Sequence, residues 1–123
     1  MQKSPYIYYG ADVSYFSGKA RPALPQKSLW YREVMPNMKE IVAKTGVAFI
    51  PVLVTPDGDA WQDTSEILDR LELAHPEPPL YPRTPVQRIA AYLIELYGDE
   101  VGILPGMHYR WSFEESSRKA RVD

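Results

Sequence analysis

A proline sits inside an apolar run that otherwise reads as a β-strand, Phe49-Ile50-Pro51-Val52-Leu53. Ten residues later comes Asp63-Thr64-Ser65-Glu66-Ile67, a helix start built on small polar residues. Proline donates no ladder hydrogen bond, so it persists in a strand only at an edge, at a bulge, or as a cis bond that the fold uses. The residues alone leave all three open at Pro51. The polar helix start offers unsatisfied N–H groups and the positive end of a helix dipole, which suits an anion. An unpaired backbone beside the proline and an anion site nearby would together suit a short peptide that ends in a carboxylate.

The segments around this pair fall into an alternating order. Residues 6–9 read as a short aromatic strand, 10–16 as a loop, and Ser17 precedes a helix running from Gly18. Residues 29–34 read as a second strand. Residues 36–45 read as a helix with Pro36 in its first turn, Met38, Ile41, Val42 and Thr45 near one face, and Gly46 as its stop. The third strand spans 49–54, Thr55-Pro56-Asp57-Gly58-Asp59 is a hairpin turn, and the fourth strand begins at 60–62. Ile67, Leu68, Leu71 and Ala74 are the apolar stripe of the helix that follows. The order is β-α-β-α-β-β-α.

Five of the chain's 12 prolines fall between Pro76 and Pro85. They mark a semi-rigid extended linker between two units. Beyond it, Thr84, Pro85 and Gln87 form a capping-box start to a helix carrying Val86, Ile89, Ala90, Leu93, Leu96 and Tyr97. Gly98 and Gly102 interrupt, a second helical segment begins near Pro105, and the chain finishes in a polar, basic tail. Val86, Ile89, Ala90, Leu93, Ile94, Leu96 and Tyr97 cover so wide an arc that this helix needs cover on more than one side, and a homodimer is expected.

Composition removes several functions. The net charge of −2 makes no electrostatic case for nucleic acid or an anionic membrane surface. No apolar run approaches the about 18–20 residues needed to span a bilayer, and Met1-Gln2-Lys3-Ser4-Pro5 is no secretory leader. A cytoplasmic location is expected. With no cysteine, any thiol chemistry has to come from a ligand. His75 and His108 lack metal-ligand spacing and receive no catalytic role. Lys39 and Gln62 are weaker ligand candidates that read as solvated surface.

The order of elements, with Ile50-Pro51, Asp63-Thr64 and Ser14-Tyr15-Phe16-Ser17-Gly18-Lys19-Ala20-Arg21 in sequence, resembles the cytosolic glutathione S-transferases. The resemblance implies an α/β thioredoxin-like sandwich with a four-stranded mixed sheet, followed by a truncated all-α segment. It divides the chain into a glutathione-binding domain over 1–75, a linker over 76–84 and a partial helical domain over 85–123. It also implies that the Ile50–Pro51 bond is cis, that Ile50 and Pro51 pair with the cysteine backbone of glutathione, and that Asp63 and Thr64 hold its γ-glutamyl group. Glutathione is then a co-substrate rather than a resident cofactor, and no metal is implied.

The reaction implied is conjugation of the glutathione thiol to a small electrophile. A free thiol has a pKa of about 8.5, so a hydroxyl donor or a helix N-terminus must stabilise the thiolate. Ser17, four residues before Arg21, is the donor this resemblance suggests, with Tyr9 and Tyr15 as alternatives. Ser17 could equally serve as a helix cap, and Asp63 has capping-box spacing to Glu66. Pro22 and Pro25 both fall where the first helix should run. An interior proline costs about 3 kcal/mol, so that helix must kink or begin late. A domain that binds glutathione without turnover and a non-enzymatic interaction module are the other two readings of such a chain.

Overall fold

The computed structural model describes residues 4–122, so the first three residues of the 1–75 domain and Asp123 lie outside them. The chain divides into two compact units, with the boundary after Leu80.

The first unit is a four-stranded mixed sheet with the order β2-β1-β3-β4. β1 (Tyr6–Tyr9) runs parallel to β2 (Tyr31–Val34) and antiparallel to β3 (Val52–Val54), which pairs antiparallel with β4 (Ala60–Gln62). Period-two alternation assigns each side chain to one of two cores. Tyr8, Leu53 and Trp61 face one side and pack with Ala20, Ala23, Leu24, Ile67 and Leu71. Tyr9, Val52 and Val54 face the other and pack with Ile41. Helices α1 (Tyr15–Ala20), α2 (Ala23–Gln26) and α4 (Thr64–Ala74) thus cover the first face, and α3 (Met38–Thr45) the second.

Several expected boundaries shift for local reasons. The first helix starts at Tyr15, capped by the Ser14 side chain, which accepts the Ser17 N–H. Ser17 is therefore an interior helical residue and not the cap. Neither does the helix begin late: Pro22 divides it, becoming the N-cap of a separate one-turn helix in which Pro25 lies. α3 is capped by Asn37, whose Oδ1 accepts the N–H groups of Lys39 and Glu40, so Pro36 stands outside it. Gly46 ends α3 at φ 84°, a left-handed position natural to glycine. The second strand begins at Tyr31 rather than Leu29. β3 is shorter than the apolar run, and Pro51 immediately precedes it instead of interrupting it. The Ile50–Pro51 and Glu77–Pro78 bonds are both cis.

The start of the proline-rich stretch is tied to the first unit by a buried lysine. Lys27 Nζ donates to Glu72 Oε2, to the His75 carbonyl at 2.6 Å and to the Pro78 carbonyl at 2.7 Å. An ammonium has three protons, and three acceptors satisfy it, which is what lets a charged head be buried. The Leu80 N–H donates to the same carboxylate at 2.9 Å, and Leu80 packs against the core.

In the second unit α5 (Pro85–Tyr97) continues through a π-helical turn at Gly98–Gly102 into α6 (Ile103–Trp111) and α7 (Glu114–Val122). The interruption read at the two glycines is a widened helical turn, not a break. The expected capping box is absent, because the Thr84 hydroxyl donates to Gln87 Oε1 rather than accepting a backbone N–H. The basic tail is helical, stitched by the i,i+4 pairs Glu114–Arg118 and Glu115–Lys119.

Candidate functional site

Register brings the predicted residues to one edge. Val34 pairs with Tyr9, Tyr9 with Val52, and Val52 with Gln62, so these four residues form a single rung across the sheet. Everything that leaves the sheet beyond this rung emerges at the same end. From β1 comes the loop 10–14 and the start of α1, from β2 the segment 35–37 and the start of α3. Ile50-Pro51 precedes β3 there, and Asp63-Thr64 follows β4.

The polar edge is built by local rules. Asp63 caps α4, its Oδ1 accepting the N–H of Ser65 at 2.9 Å and of Glu66 at 3.2 Å. Its backbone adopts φ 72° and ψ 127°, a conformation that residues with a Cβ rarely hold. Glu66 Oε1 pairs forward with Arg70, so Asp63 carries the cap. Thr64 is buried at the first helical position. Lys19 reaches across from α1 and donates from Nζ to Ser65 Oγ at 3.1 Å, which puts a cation beside the α4 N-terminus. Pro51 is fully buried, and Ile50 packs partly against the Tyr9–Ile41 core.

The three candidate hydroxyls have different surroundings. Ser17 is fully buried; its Oγ accepts the Ala11 N–H at 3.3 Å, and its carbonyl accepts the Tyr8 hydroxyl at 2.8 Å. Tyr9 points to the α3 side, where it donates to Glu40 Oε1 at 2.5 Å. That hydrogen bond to a carboxylate, reinforced by burial, pushes the phenol up to about 12. Tyr15 opens α1 and packs edge-on against Phe16, with ring centroids 5.4 Å apart. A fourth hydroxyl, that of Ser14, has no role in the sequence pattern. It is half-buried, caps α1, and holds its Oγ at the outer end of the helix. The signal that could have found it is the three-residue spacing from Ser14 to Ser17, which fits a capping hydroxyl accepting the N3 amide.

The loop that carries Ser14 is anchored below. Arg21 binds Glu33 through two nitrogens, Nε to Oε2 at 3.0 Å and Nη2 to Oε1 at 2.7 Å, and approaches Asp12 at 3.3 Å. Gly10 lies between this pair and Tyr8. A Cβ there would stand 2.8 Å from the Tyr8 ring and 3.0 Å from Glu33 Oε1, so the close approach requires glycine. Lys39 is exposed on α3, and His75 accepts or donates at Nε2 with the Tyr6 hydroxyl, 2.9 Å away. Among the described residues no group of three or more His, Asp or Glu side chains is gathered as for a metal ion.

Residues 9–79 match the family model of the glutathione S-transferase N-terminal domain. The chain belongs to the glutathione S-transferase family. A glutathione S-transferase from Methylobacterium radiotolerans, solved in complex with glutathione sulfonate, is 28% identical and superposes with a TM-score of 0.76, over 94% of this chain and 57% of that one. A glutathione S-transferase from Rhodospirillum rubrum is 27% identical, with a TM-score of 0.73 over 77% of this chain and 45% of that one. The Tau-class enzyme of mango, Mangifera indica, shares the fold at 24% identity and a TM-score of 0.75, over 98% of this chain and 58% of that one. This family member thus spans about half the length of the solved structures it matches. No curated protein sequence matches it significantly. The thioredoxin-like sandwich with a four-stranded mixed sheet, followed by helices, is the fold of the family's N-terminal half. Among the described residues no helix is long and apolar enough to cross a membrane.

Proposed function

We propose that this chain binds glutathione along the edge beyond the Val34–Tyr9–Val52–Gln62 rung and activates its thiol for conjugation to a small electrophile. The observation that carries the reading is the convergence at that edge of three features. They are the backbone before Pro51, the Asp63-capped N-terminus of α4 beside Lys19, and the Ser14-capped start of α1. A tripeptide with an ammonium, two carboxylates and a central thiol has complementary groups for each. Asp63 takes the γ-glutamyl ammonium, while the hydroxyl and N–H of Thr64, supported by Lys19, take its carboxylate. The Ile50 backbone pairs with that of the cysteine. The glutathione sulfonate complex of the Methylobacterium radiotolerans relative supports this ligand.

The hydroxyl we assign to the sulfur is that of Ser14. Ser17 is enclosed, and Tyr9 is committed to Glu40 with its proton held more tightly than in free tyrosine. Ser14 Oγ accepts the Ser17 N–H and keeps its own proton to donate. A hydrogen bond to the thiolate lowers the thiol pKa, and the thiolate then attacks the electrophilic carbon to form the C–S bond. Self-association through the apolar surface of α5 belongs to the same reading: Val86, Ile89, Leu93, Ile94, Leu96 and Tyr97 are all exposed.

The test is a calorimetric titration with glutathione, followed by a conjugation assay with an activated aryl halide on the same sample. Binding with turnover is expected. Binding without turnover would make the chain a glutathione-binding domain. Absence of binding would refute the site and leave an interaction module.

A further inference from the structure

Gln62 is half-buried, and its side-chain amide is spent on the backbone. It closes the β4 strand and faces the α3 side of the sheet, as Ala60 does. Its Nε2 donates to two carbonyls of the segment between α3 and Pro51, Val47 at 3.2 Å and Phe49 at 2.8 Å. A primary amide nitrogen carries two protons, and two carbonyls use both. The segment has little else to hold it. It leaves α3 at the left-handed Gly46, and Val47, Ala48 and Phe49 are all exposed. The Thr45 hydroxyl, 3.0 Å from the Val47 carbonyl, secures the near end. Gln62 secures the end next to Ile50.

We propose that Gln62 is a positioning residue for the ligand-pairing backbone of Ile50. The Phe49 carbonyl and the Ile50 N–H belong to one planar peptide unit and point in opposite directions when the unit is trans. Fixing the carbonyl on the Gln62 amide therefore fixes the direction of the Ile50 N–H. Because Gln62 also shares a register pair with Val52, the clamp references that peptide to the sheet and to Asp63, the next residue along. A pre-oriented N–H spares the ligand the entropy of ordering the segment. This inference rests on the glutathione site proposed above.

Two near-isosteric variants test it in the full chain. Gln62→Met keeps the length and removes both donors, and Gln62→Glu faces two carbonyls with a carboxylate. Glutathione affinity, thermal midpoint and amide exchange are measured for each. The loss of two neutral hydrogen bonds predicts about five- to a hundredfold weaker glutathione binding for Gln62→Met, and more for Gln62→Glu. Exchange is expected to quicken at residues 48–50 while the amides of β1 and β3 keep their protection. If the unmutated chain binds and both variants bind equally well, the positioning role is wrong and the site stands. Weaker binding with faster exchange throughout the sheet would mean general destabilisation, and this too overturns the role. Weaker binding with exchange unchanged at 48–50 would make Gln62 a direct ligand contact instead. If the unmutated chain does not bind glutathione, the site itself falls and the positioning role goes with it.

Discussion

Replacing Asp63 by asparagine, glycine or alanine separates the two duties assigned to one carboxylate. In the free chain its Oδ1 accepts two N–H groups of the first turn of α4, at 2.9 and 3.2 Å. An asparagine oxygen can accept the same pair, so Asp63→Asn removes only the charge. At an exposed helix N-terminus that charge contributes about 0.3–1 kcal/mol. The thermal midpoint should fall by no more than about 4–8 °C in a unit of this size. The ligand should feel the change more. A hydrogen bond to a charged group contributes about 1.5–3 kcal/mol, so the dissociation constant for glutathione should rise about ten- to a hundredfold. Asp63→Ala loses the cap as well, about 1 kcal/mol, and leaves a Cβ at φ 72° with no side-chain hydrogen bond to compensate. Asp63→Gly relieves that backbone, and glycine at an N-cap costs only a few tenths of a kcal/mol. The expected order of stability is therefore wild type, asparagine and glycine close together, then alanine, while all three variants bind poorly. Calorimetric titration and thermal unfolding on the same samples give both orders. Wild-type affinity in the asparagine variant would refute the ammonium contact. An alanine variant as stable as the asparagine one would refute the account of the cap.

Three further outcomes follow from the same geometry. Ser14→Ala should raise the pKa of bound glutathione toward the free-thiol value of about 8.5, as read by thiolate absorbance. Ser17→Ala should leave that pKa in place, and the reverse pattern would return the role to Ser17. Tyr9 releases its proton in the unfolded chain near pH 10 but in the folded chain only at about 12. The folded state binds the extra proton between these values, so this share of stability is complete below about pH 10 and is lost as pH rises through the folded value. Urea midpoints should accordingly fall less for Tyr9→Phe than for wild type between about pH 9 and pH 12, and identical falls would contradict the Glu40 contact. Sedimentation at micromolar concentration should give a dimer that Leu93→Glu converts to monomer; a monomeric wild type removes the self-association claim.

Much of the first unit was legible because it is written in local patterns. Thr55-Pro56-Asp57-Gly58-Asp59 can only turn, Gly46 can readily stop a helix in the left-handed region, and the apolar spacing from Ile67 to Leu71 places one helix face. Pro51 and Asp63-Thr64 pointed to the edge proposed for the ligand through what their backbones lack: a donor at the proline, partners at the helix start. Boundaries were less legible. Asn37 out-competed Pro36 as the start of α3 because its side chain satisfies two N–H groups, and the tail became helical through i,i+4 ion pairs that composition alone reads as a polar run.

What only the tertiary structure decided are the choices between residues of the same type. Tyr9, Ser14, Tyr15 and Ser17 all lie near the end of β1, and although the Ser14–Ser17 spacing fits a cap, it does not say which hydroxyl the fold encloses. Packing of Tyr8 under α1 buries Ser17, strand alternation sends Tyr9 to the α3 face, and Ser14 is left at the helix end. Gln62 reads as solvated surface in the sequence, and nothing along the chain marks Lys27 for burial; the fold decides both. Lys27 is buried by three acceptors separated from it by 45 to 51 positions, and Gln62 clamps carbonyls 13 and 15 positions away. A propensity or a cap acts within a few residues and can be read along the chain. A partner that far off exists only once the sheet has set its register, and the register is a property of the whole fold.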